Sequence, residues 1–277
     1  MPPPTLAPPG GGGYVPPMTM PSSPEEPQPP GREPIFNLPG VVTASILALG
    51  AVHVLRALLP PEADEWIVRA FAFVPFRLTG AAPQEFPGGT GGAAWTFVTY
   101  AVLHANVGHI VVNGVWLAAF GTPLARRLGT SRFLLLSLAG AFAGAVAHWA
   151  THVGGLQPIV GASAAVSAHF AATCRFAFAS GGPLSAVPSP EPQRAPPLLL
   201  AIGDRRVLAF IGAWFGINLL FGVLSQFDGG PLPDAIAWEA HIGGFLVGLL
   251  AFPLFDPVAR SRPPADDGLS PPGGDDT

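Results

Sequence analysis

The sequence has little charge. Only 11% of its 277 residues are Asp, Glu, Lys or Arg, against about 25% in a typical soluble domain. The charges are also segregated, because four long gaps contain none of them: Glu85 to Arg126, Arg132 to Arg175, Arg206 to Asp228 and Glu239 to Asp256. Each gap can hold a membrane span of roughly 20 residues. The pattern predicts an integral membrane protein and excludes an ordinary soluble domain.

Cysteine is almost absent as well. The single residue, Cys174, excludes an intramolecular disulfide framework and offers no thiolate metal cluster. The net charge of −4 is carried mostly by the two ends of the chain, so the sequence provides no basic surface for nucleic acid. We therefore expect no nucleic-acid partner.

Proline and glycine are concentrated near the two ends. Residues 1–35 and 256–277 are too rich in them to pack a core, so both are predicted to be disordered cytoplasmic tails. Residues 36–255 are predicted to form the membrane domain, interrupted by a Pro-rich cytoplasmic linker at 181–204. Lipid leaves no backbone group unpaired, so the six apolar stretches are predicted to be helices: 38–58, 104–125, 132–152, 161–180, 206–226 and 238–255.

Arginine placement predicts the orientation of these spans. All 13 basic residues are arginine. Only Arg56, near the end of span 1, and Arg69 and Arg77, in the loop that follows, are left on the outer side. Loops rich in basic residues stay in the cytoplasm, so both termini are predicted to be cytoplasmic. The first outer loop, 60–91, contains aromatic residues that fit either an interfacial amphipathic segment or an ordinary long loop.

Polar side chains inside spans are expensive, which suggests a functional role. Span 2 contains His104, His109 and Asn113, span 4 begins near Ser163, and span 6 begins near His241. With both termini inside, these three spans all begin at the outer face. Their first turns can therefore bring the polar residues together in one pocket.

The residue types in this pocket favour acyl transfer. A serine hydroxyl needs a neighbouring base, for which imidazole is the usual partner, so Ser163 is predicted to be the nucleophile and His241 its base. The Ser163 N–H at a helix N-terminus, His109 and Asn113 can stabilise an oxyanion. A Gly-x-x-x-Gly face on span 6 allows close approach to the alanines of span 4.

The motifs taken together resemble the rhomboid family of intramembrane serine proteases, of the bacterial type. They are His104-x4-His109-x3-Asn113, Gly161-Ala-Ser163, Ala240-His241-x2-Gly244-x3-Gly248 and, on span 5, the stretch 214–222. The resemblance implies an all-α, polytopic bundle of six transmembrane helices in a bacterial inner membrane. It also implies an active site that opens to the outer face and uses neither metal nor cofactor.

The roles implied by the resemblance follow the same motifs. A Ser163–His241 dyad would hydrolyse a peptide bond in or near the transmembrane segment of a membrane-protein substrate. His109, Asn113 and Ser163 would form the oxyanion hole, and structural support would come from His104, Gly161, Gly244 and Gly248. Three positions differ from the common family pattern: Ala125 replaces Glu, Ala164 replaces Gly, and Ser167 replaces an aromatic residue that stacks on the histidine in some members.

Two other functions fit parts of the same pattern. One is a catalytically inactive rhomboid-like protein that binds transmembrane helices. The other is a transporter, metal or haem protein with His104, His109 and His241 as ligands, which the lack of a paired carboxylate disfavours. His148 and His152 are spaced like a ligand pair, but without an accompanying carboxylate or cysteine they are interpreted as interfacial. The sequence names neither a substrate nor an oligomeric state.

Overall fold

The structure is a computed structural model that describes residues 1, 37–79, 85–187, 193–224 and 237–258. The described residues from Leu38 to Val258 belong to one compact unit. Most of the two predicted tails, residues 2–35 and 259–277, lies outside the described residues. In the described ranges the chain is helical, and its only β pairing is an isolated bridge between Phe73 and Ile159.

The helices follow the apolar stretches of the sequence, since each of the six stretches contains one. In chain order they are α1 (Gly40–Ala57), α2 (Pro61–Phe71), α3 (Gly89–Thr99), α4 (Val107–Trp116), α5 (Thr122–Leu128), α6 (Thr130–Thr151), α7 (Ser163–Cys174), α8 (Leu198–Gly203), α9 (Arg205–Leu224), α10 (Trp238–Leu250) and α11 (Phe252–Phe255). A π-helical segment, Leu117–Gly121, joins α4 to α5 without a break.

Within the described residues, three helices are long and apolar enough to cross a bilayer. They are α1, the continuous Val107–Leu128 helix and α6, while α10 is apolar but shorter. Together with the low charge of the sequence they make this an integral membrane protein. The count of six spans remains a prediction.

Helix α7 lies in the middle of the bundle. All of its residues from Ala164 to Cys174 are buried, and its 12 residues rise only about 18 Å. The apolar stretch runs on to residue 180, but the helix ends at Cys174 and turns follow. The Arg175 guanidinium donates to the carbonyl oxygens of Leu249 and Pro196 there. The end of α7 itself is satisfied locally, because the Thr173 carbonyl oxygen accepts from the N–H groups of Phe176 and Ala177.

Small residues let α7 and α10 approach at backbone distance. A methyl group added at Gly244 would overlap the carbonyl group of Ala164, and one added at Gly248 would overlap that of Ala168. Helix α6 approaches α7 in the same way, since a methyl group at Gly140 would lie 2.7 Å from the Ala168 Cβ. Packing of small residues is the main source of helix association in lipid.

A buried ion pair closes the end of the bundle near the start of α6. Arg127 Nη2 lies 2.8 Å from Asp256 Oδ2, with the two side chains 7% and 1% exposed. Asp256 is the first residue of the predicted C-terminal tail, so packed structure extends into that range. Removing one partner of a buried pair leaves an uncompensated charge and costs about 3–5 kcal/mol.

The segment after α1 forms a helix rather than an irregular loop. Trp66 on α2 is 54% exposed, whereas Phe73 is fully buried and stacks edge-on against Phe97. Arg77 is also buried, and its guanidinium donates to the Arg69 and Pro87 carbonyl oxygens. This desolvation lowers the Arg77 pKa. Only the first part of the segment therefore fits an interfacial role.

Candidate active site

The polar residues predicted from the sequence line one large cavity. It measures about 1270 Å³ and is lined mainly by α4, α7, α9, α10 and the loops before them. Its walls include the three span 2 residues and the proposed dyad: His104, His109, Asn113, Ser163 and His241. Side chains separated by up to 137 positions in sequence thus share one water-accessible space.

A glycine turn positions Ser163 as the first residue of α7. Gly161 has a φ of 118°, a left-handed conformation that strains any residue with a side chain. Its N–H donates to the Tyr100 carbonyl oxygen at 3.0 Å. The Tyr100 hydroxyl in turn donates to the Ala141 carbonyl oxygen of α6. A Cβ on Gly161 would lie 2.6 Å from His109 Nε2. Glycine is therefore needed both for the turn and for the approach of His109.

Asn218 on α9 holds the imidazole of His241. His241 Nδ1 is hydrogen-bonded to the Asn218 side-chain oxygen, and an amide oxygen can only accept. The proton of a neutral His241 therefore resides on Nδ1, which leaves the Nε2 lone pair available as a base. The Trp214 ring lies 6.4 Å from the imidazole, measured between centroids.

Sequence reasoning missed the role of Asn218. The residue lies within the stretch 214–222 that resembles the family, but it received no function. The sequence did contain a signal. Asn218 lies in the middle of the apolar stretch 206–226, where a side-chain amide is costly.

Ser167 stands where some family members have an aromatic residue. Its hydroxyl donates to the Ser163 carbonyl oxygen at 2.7 Å.

His109 and Asn113 lie on one face of α4. Asn106 caps this helix by accepting from the His109 backbone N–H at 2.9 Å, as N-cap residues do. The Asn113 amide, which is 3% exposed, donates to the His109 carbonyl oxygen at 2.9 Å. That bond is internal to α4, and an amide group has a second N–H to donate.

His104 lies in the loop before α4 and is almost fully buried. Its Nε2 faces the Ala162 N–H at 3.5 Å, and its carbonyl oxygen accepts from Arg56 at 2.9 Å. Arg56 is paired in turn with Asp64 on α2. The loop of His104 thus connects the turn before Ser163 with α1 and α2.

The interpretation of His148 and His152 needs a correction. A carboxylate does accompany them, because Glu239 of α10 faces both rings at the cavity wall. His148 Nδ1 lies 3.8 Å from Glu239 Oε2, and His152 Nε2 lies 3.9 Å from Glu239 Oε1. Since α6 ends where α10 begins, residues 87 positions apart in sequence become neighbours.

The fold and cavity define a polytopic helical membrane protein with a Ser-, His- and Asn-lined pocket. A family model described as the Rhomboid domain matches residues 91–256, which is more than half of the chain. The chain therefore belongs to the rhomboid family.

Three relatives illustrate this similarity. The chain is 43% identical over 61 residues to RHOMBOID-like protein 12, mitochondrial, of Arabidopsis thaliana, covering 22% of this chain and 18% of the relative. It is 29% identical over 160 residues to rhomboid protease GluP of Bacillus subtilis, covering 58% and 26%. It is 28% identical over 162 residues to rhomboid protease GlpG of Pectobacterium atrosepticum, covering 56% and 46%. The chain spans less than half the length of these relatives.

Proposed function

We propose that this protein is an intramembrane serine endopeptidase that cleaves membrane-protein substrates in or near a transmembrane segment. The observation that carries the proposal is the shared cavity of Ser163 and His241, the latter with its Nδ1 bonded to Asn218. Relatives named as rhomboid proteases support the same reaction class.

In the proposed mechanism, His241 Nε2 takes the proton from the Ser163 hydroxyl as its oxygen attacks the scissile carbonyl carbon. The Asn218 oxygen keeps the other imidazole proton on Nδ1 and holds the ring in place. The resulting imidazolium then protonates the leaving amine, which yields an acyl-enzyme. Water, deprotonated by His241, attacks the ester and releases the carboxylic acid with Ser163 restored.

The negative oxygen formed in each step needs donors. The Ser163 backbone N–H is unpaired within α7 because it belongs to the first turn, where the helix dipole also favours negative charge. His109 and the second N–H of Asn113 are proposed to complete the oxyanion hole. Removing one such donor typically costs about 10²–10³-fold in kcat.

Substrate is proposed to enter between α4 and α9. Both helices line the cavity, through Val112 and Asn113 on α4 and Ile217 and Asn218 on α9. Val112 and Ile217 are also 50% and 39% exposed, so apolar surface continues from the outside of the bundle into the site. A transmembrane substrate could slide along this surface without leaving an apolar environment.

The topology is proposed to follow the arginine pattern. Six spans within residues 36–255 would place both termini in the cytoplasm and open the cavity to the outer face of a bacterial inner membrane. The N-terminal ends of α4, α7 and α10 all face the cavity, which is consistent with parallel spans that begin at one face.

The direct test is cleavage of a single-span model substrate by purified full-length protein in liposomes. Ser163→Ala and His241→Ala are each expected to lower the rate by about 10⁴-fold or more, while Ser45→Ala, which removes a hydroxyl on α1, retains it. A serine-reactive phosphonate should label the wild type but not Ser163→Ala. Cleavage that survives either dyad substitution contradicts the mechanism, and a wild type that binds substrate without cleaving it favours the inactive relative.

A further inference from the structure

A second cluster of titratable side chains lies at the rim of the cavity, outside the proposed catalytic machinery. His148 lies in the last turn of α6, His152 directly follows that helix, and Glu239 lies in the first turn of α10. One ligand atom from each residue lies within 4.8 Å of the other two. The imidazole rings are stacked with their centroids 4.3 Å apart. Three potential ligand groups are therefore gathered within the size of one small site.

One ring nitrogen of His148 faces this cluster without a hydrogen bond to any described residue. The residue is only 5% exposed, yet its Nδ1 has no hydrogen-bond partner among the described residues. The nearest carboxylate oxygen, on Glu239, lies 3.8 Å away, beyond the usual limit of about 3.2 Å for a hydrogen bond. Buried polar atoms are almost always satisfied, so an atom between His148 and Glu239 would complete both groups.

His152 is already oriented as metal-bound histidines are. Its Nδ1 lies 2.9 Å from the Thr151 hydroxyl and 3.3 Å from the His148 carbonyl oxygen. Since a carbonyl oxygen only accepts, this contact favours a proton on Nδ1 and leaves the Nε2 lone pair directed towards Glu239. A metal-ligating histidine typically donates its other ring N–H to such a carbonyl group, which fixes the ring.

We propose that His148, His152 and Glu239 form a binding site for a zinc-class divalent cation. Two imidazoles and one carboxylate suit zinc better than magnesium or calcium, which prefer oxygen ligands. Two atoms that each lie about 2.1 Å from a tetrahedral ion are about 3.4 Å apart. His148 lies 3.8 Å from one oxygen of Glu239 and His152 lies 3.9 Å from the other, and the ligand atoms of all three residues are within 4.8 Å of one another. Binding would therefore draw the three side chains together by up to about 1.4 Å. The fourth position is left to water.

Such a cation would connect α6 to α10 immediately before His241. Glu239 lies two positions before His241 in the same helical turn, so a bound ion would anchor the segment that carries the proposed base. The site itself rests on the geometry of the three ligands and is independent of the proposed peptidase activity.

The test uses tag-free full-length protein in detergent micelles, stripped with a chelator and titrated with Zn²⁺ alone. We expect one tightly bound Zn²⁺ per wild-type chain by elemental analysis and calorimetry, with a higher Tm when the ion is present. His152→Gln and Glu239→Gln are each expected to weaken the affinity by at least about tenfold, by comparison with the loss of outer-sphere partners. His53→Gln, which removes a histidine from α1, should bind as the wild type does.

Two outcomes would overturn the site. The wild type could bind no Zn²⁺ at micromolar concentration, or both ligand variants could bind it as tightly as the wild type does. His152 is 45% exposed, so His152→Gln should fold normally, and Glu239→Gln provides an independent second variant. Ser163→Ala should retain full Zn²⁺ affinity, which separates failure of this site from failure of the peptidase mechanism.

Discussion

Helix α10 contacts α7 and α9 in different ways. Towards α7 it presents Gly244 and Gly248, which bring the two backbones into direct contact. Towards α9 it presents His241 and Phe245, whose rings lie 6.4 and 5.2 Å from that of Trp214. The glycine contact fixes the distance between the α7 and α10 backbones, because backbone atoms cannot move aside as a flexible side chain can. The aromatic side can adjust, since rings slide and tilt at little cost.

The two contacts of α10 therefore determine different parts of the geometry of the site. The α7–α10 contact sets the distance between the helices that carry Ser163 and His241. The α9 contact sets the orientation of the imidazole through Asn218. Helix α9 is also less enclosed, since among its described side chains, at 205–220, only Val207 is buried. A loosely enclosed α9 fits its proposed place beside the substrate entrance.

The largest effect is expected at the glycine side. Gly244→Ala would drive a methyl group into the Ala164 carbonyl and lower the free energy of unfolding by about 1–3 kcal/mol, as overpacking does. Unfolding by SDS titration or heat measures this loss. The same methyl group at Gly216 on α9 meets no atom within 4 Å, so Gly216→Ala is the matched control and should unfold like the wild type.

An equal loss of unfolding free energy in Gly244→Ala and Gly216→Ala would contradict the proposed difference between the two contacts of α10. They would mean that α9 is packed as tightly as α7 and that its open surface has no special role. The cleavage rate per folded molecule provides a second measurement. Gly244→Ala should also move Ser163 away from His241 and reduce kcat.

An intermediate effect is expected at Asn218. Asn218→Leu removes the acceptor for His241 Nδ1. Because the imidazole becomes positively charged in the transition state, this bond strengthens there, and a difference of about 1 kcal/mol corresponds to a roughly fivefold lower kcat. KM should change little, and the free energy of unfolding should fall by about 1 kcal/mol, the value of one hydrogen bond. Asn218→Asp retains an oxygen acceptor and should restore most of the rate, with a pH–rate profile shifted to higher pH because the added charge stabilises the imidazolium.

A purely structural Asn218 would behave differently. Both variants would then lower the free energy of unfolding, the pH profile would keep its midpoint, and Asn218→Asp would rescue nothing. That result would remove Asn218 from the mechanism but leave the Ser163–His241 dyad untouched.

Much of the fold could be predicted from the sequence because lipid leaves few options. Apolar stretches in a membrane must be helical, and the six predicted stretches each contain a helix. The cost of burying polar groups in lipid pointed to Ser163 and His241, and both line one cavity. Their catalytic roles remain predictions. The early end of α7 could not be predicted, because the apolar stretch continues to residue 180 whereas turns follow Cys174 in the structure.

The side-chain partners were harder to predict than the helices. Asn218 and His241 meet only because α9 and α10 have a particular rotation about their axes, and hydropathy does not fix rotation. Glu239 was missed as the partner of His148 and His152 for a related reason. Spacing within one helix is visible in sequence, whereas a ligand from another helix becomes visible only when both helix ends are located.

The smallest effect is expected from changing a ring on the aromatic side. Trp214 stacks on Phe245 at 5.2 Å and on Phe170 at 5.6 Å, and such pairs contribute about 0.5–1.5 kcal/mol each beyond burial. Trp214→Phe keeps a ring in both stacks, so we expect unfolding to change by less than about 1 kcal/mol and kcat to stay within about twofold, because Asn218 still holds His241. Parallel unfolding and cleavage assays measure both. A loss as large as that of Gly244→Ala would show that the aromatic contact is as rigid as the glycine contact, and the spacing of Ser163 and His241 would then depend on α9 as much as on α7.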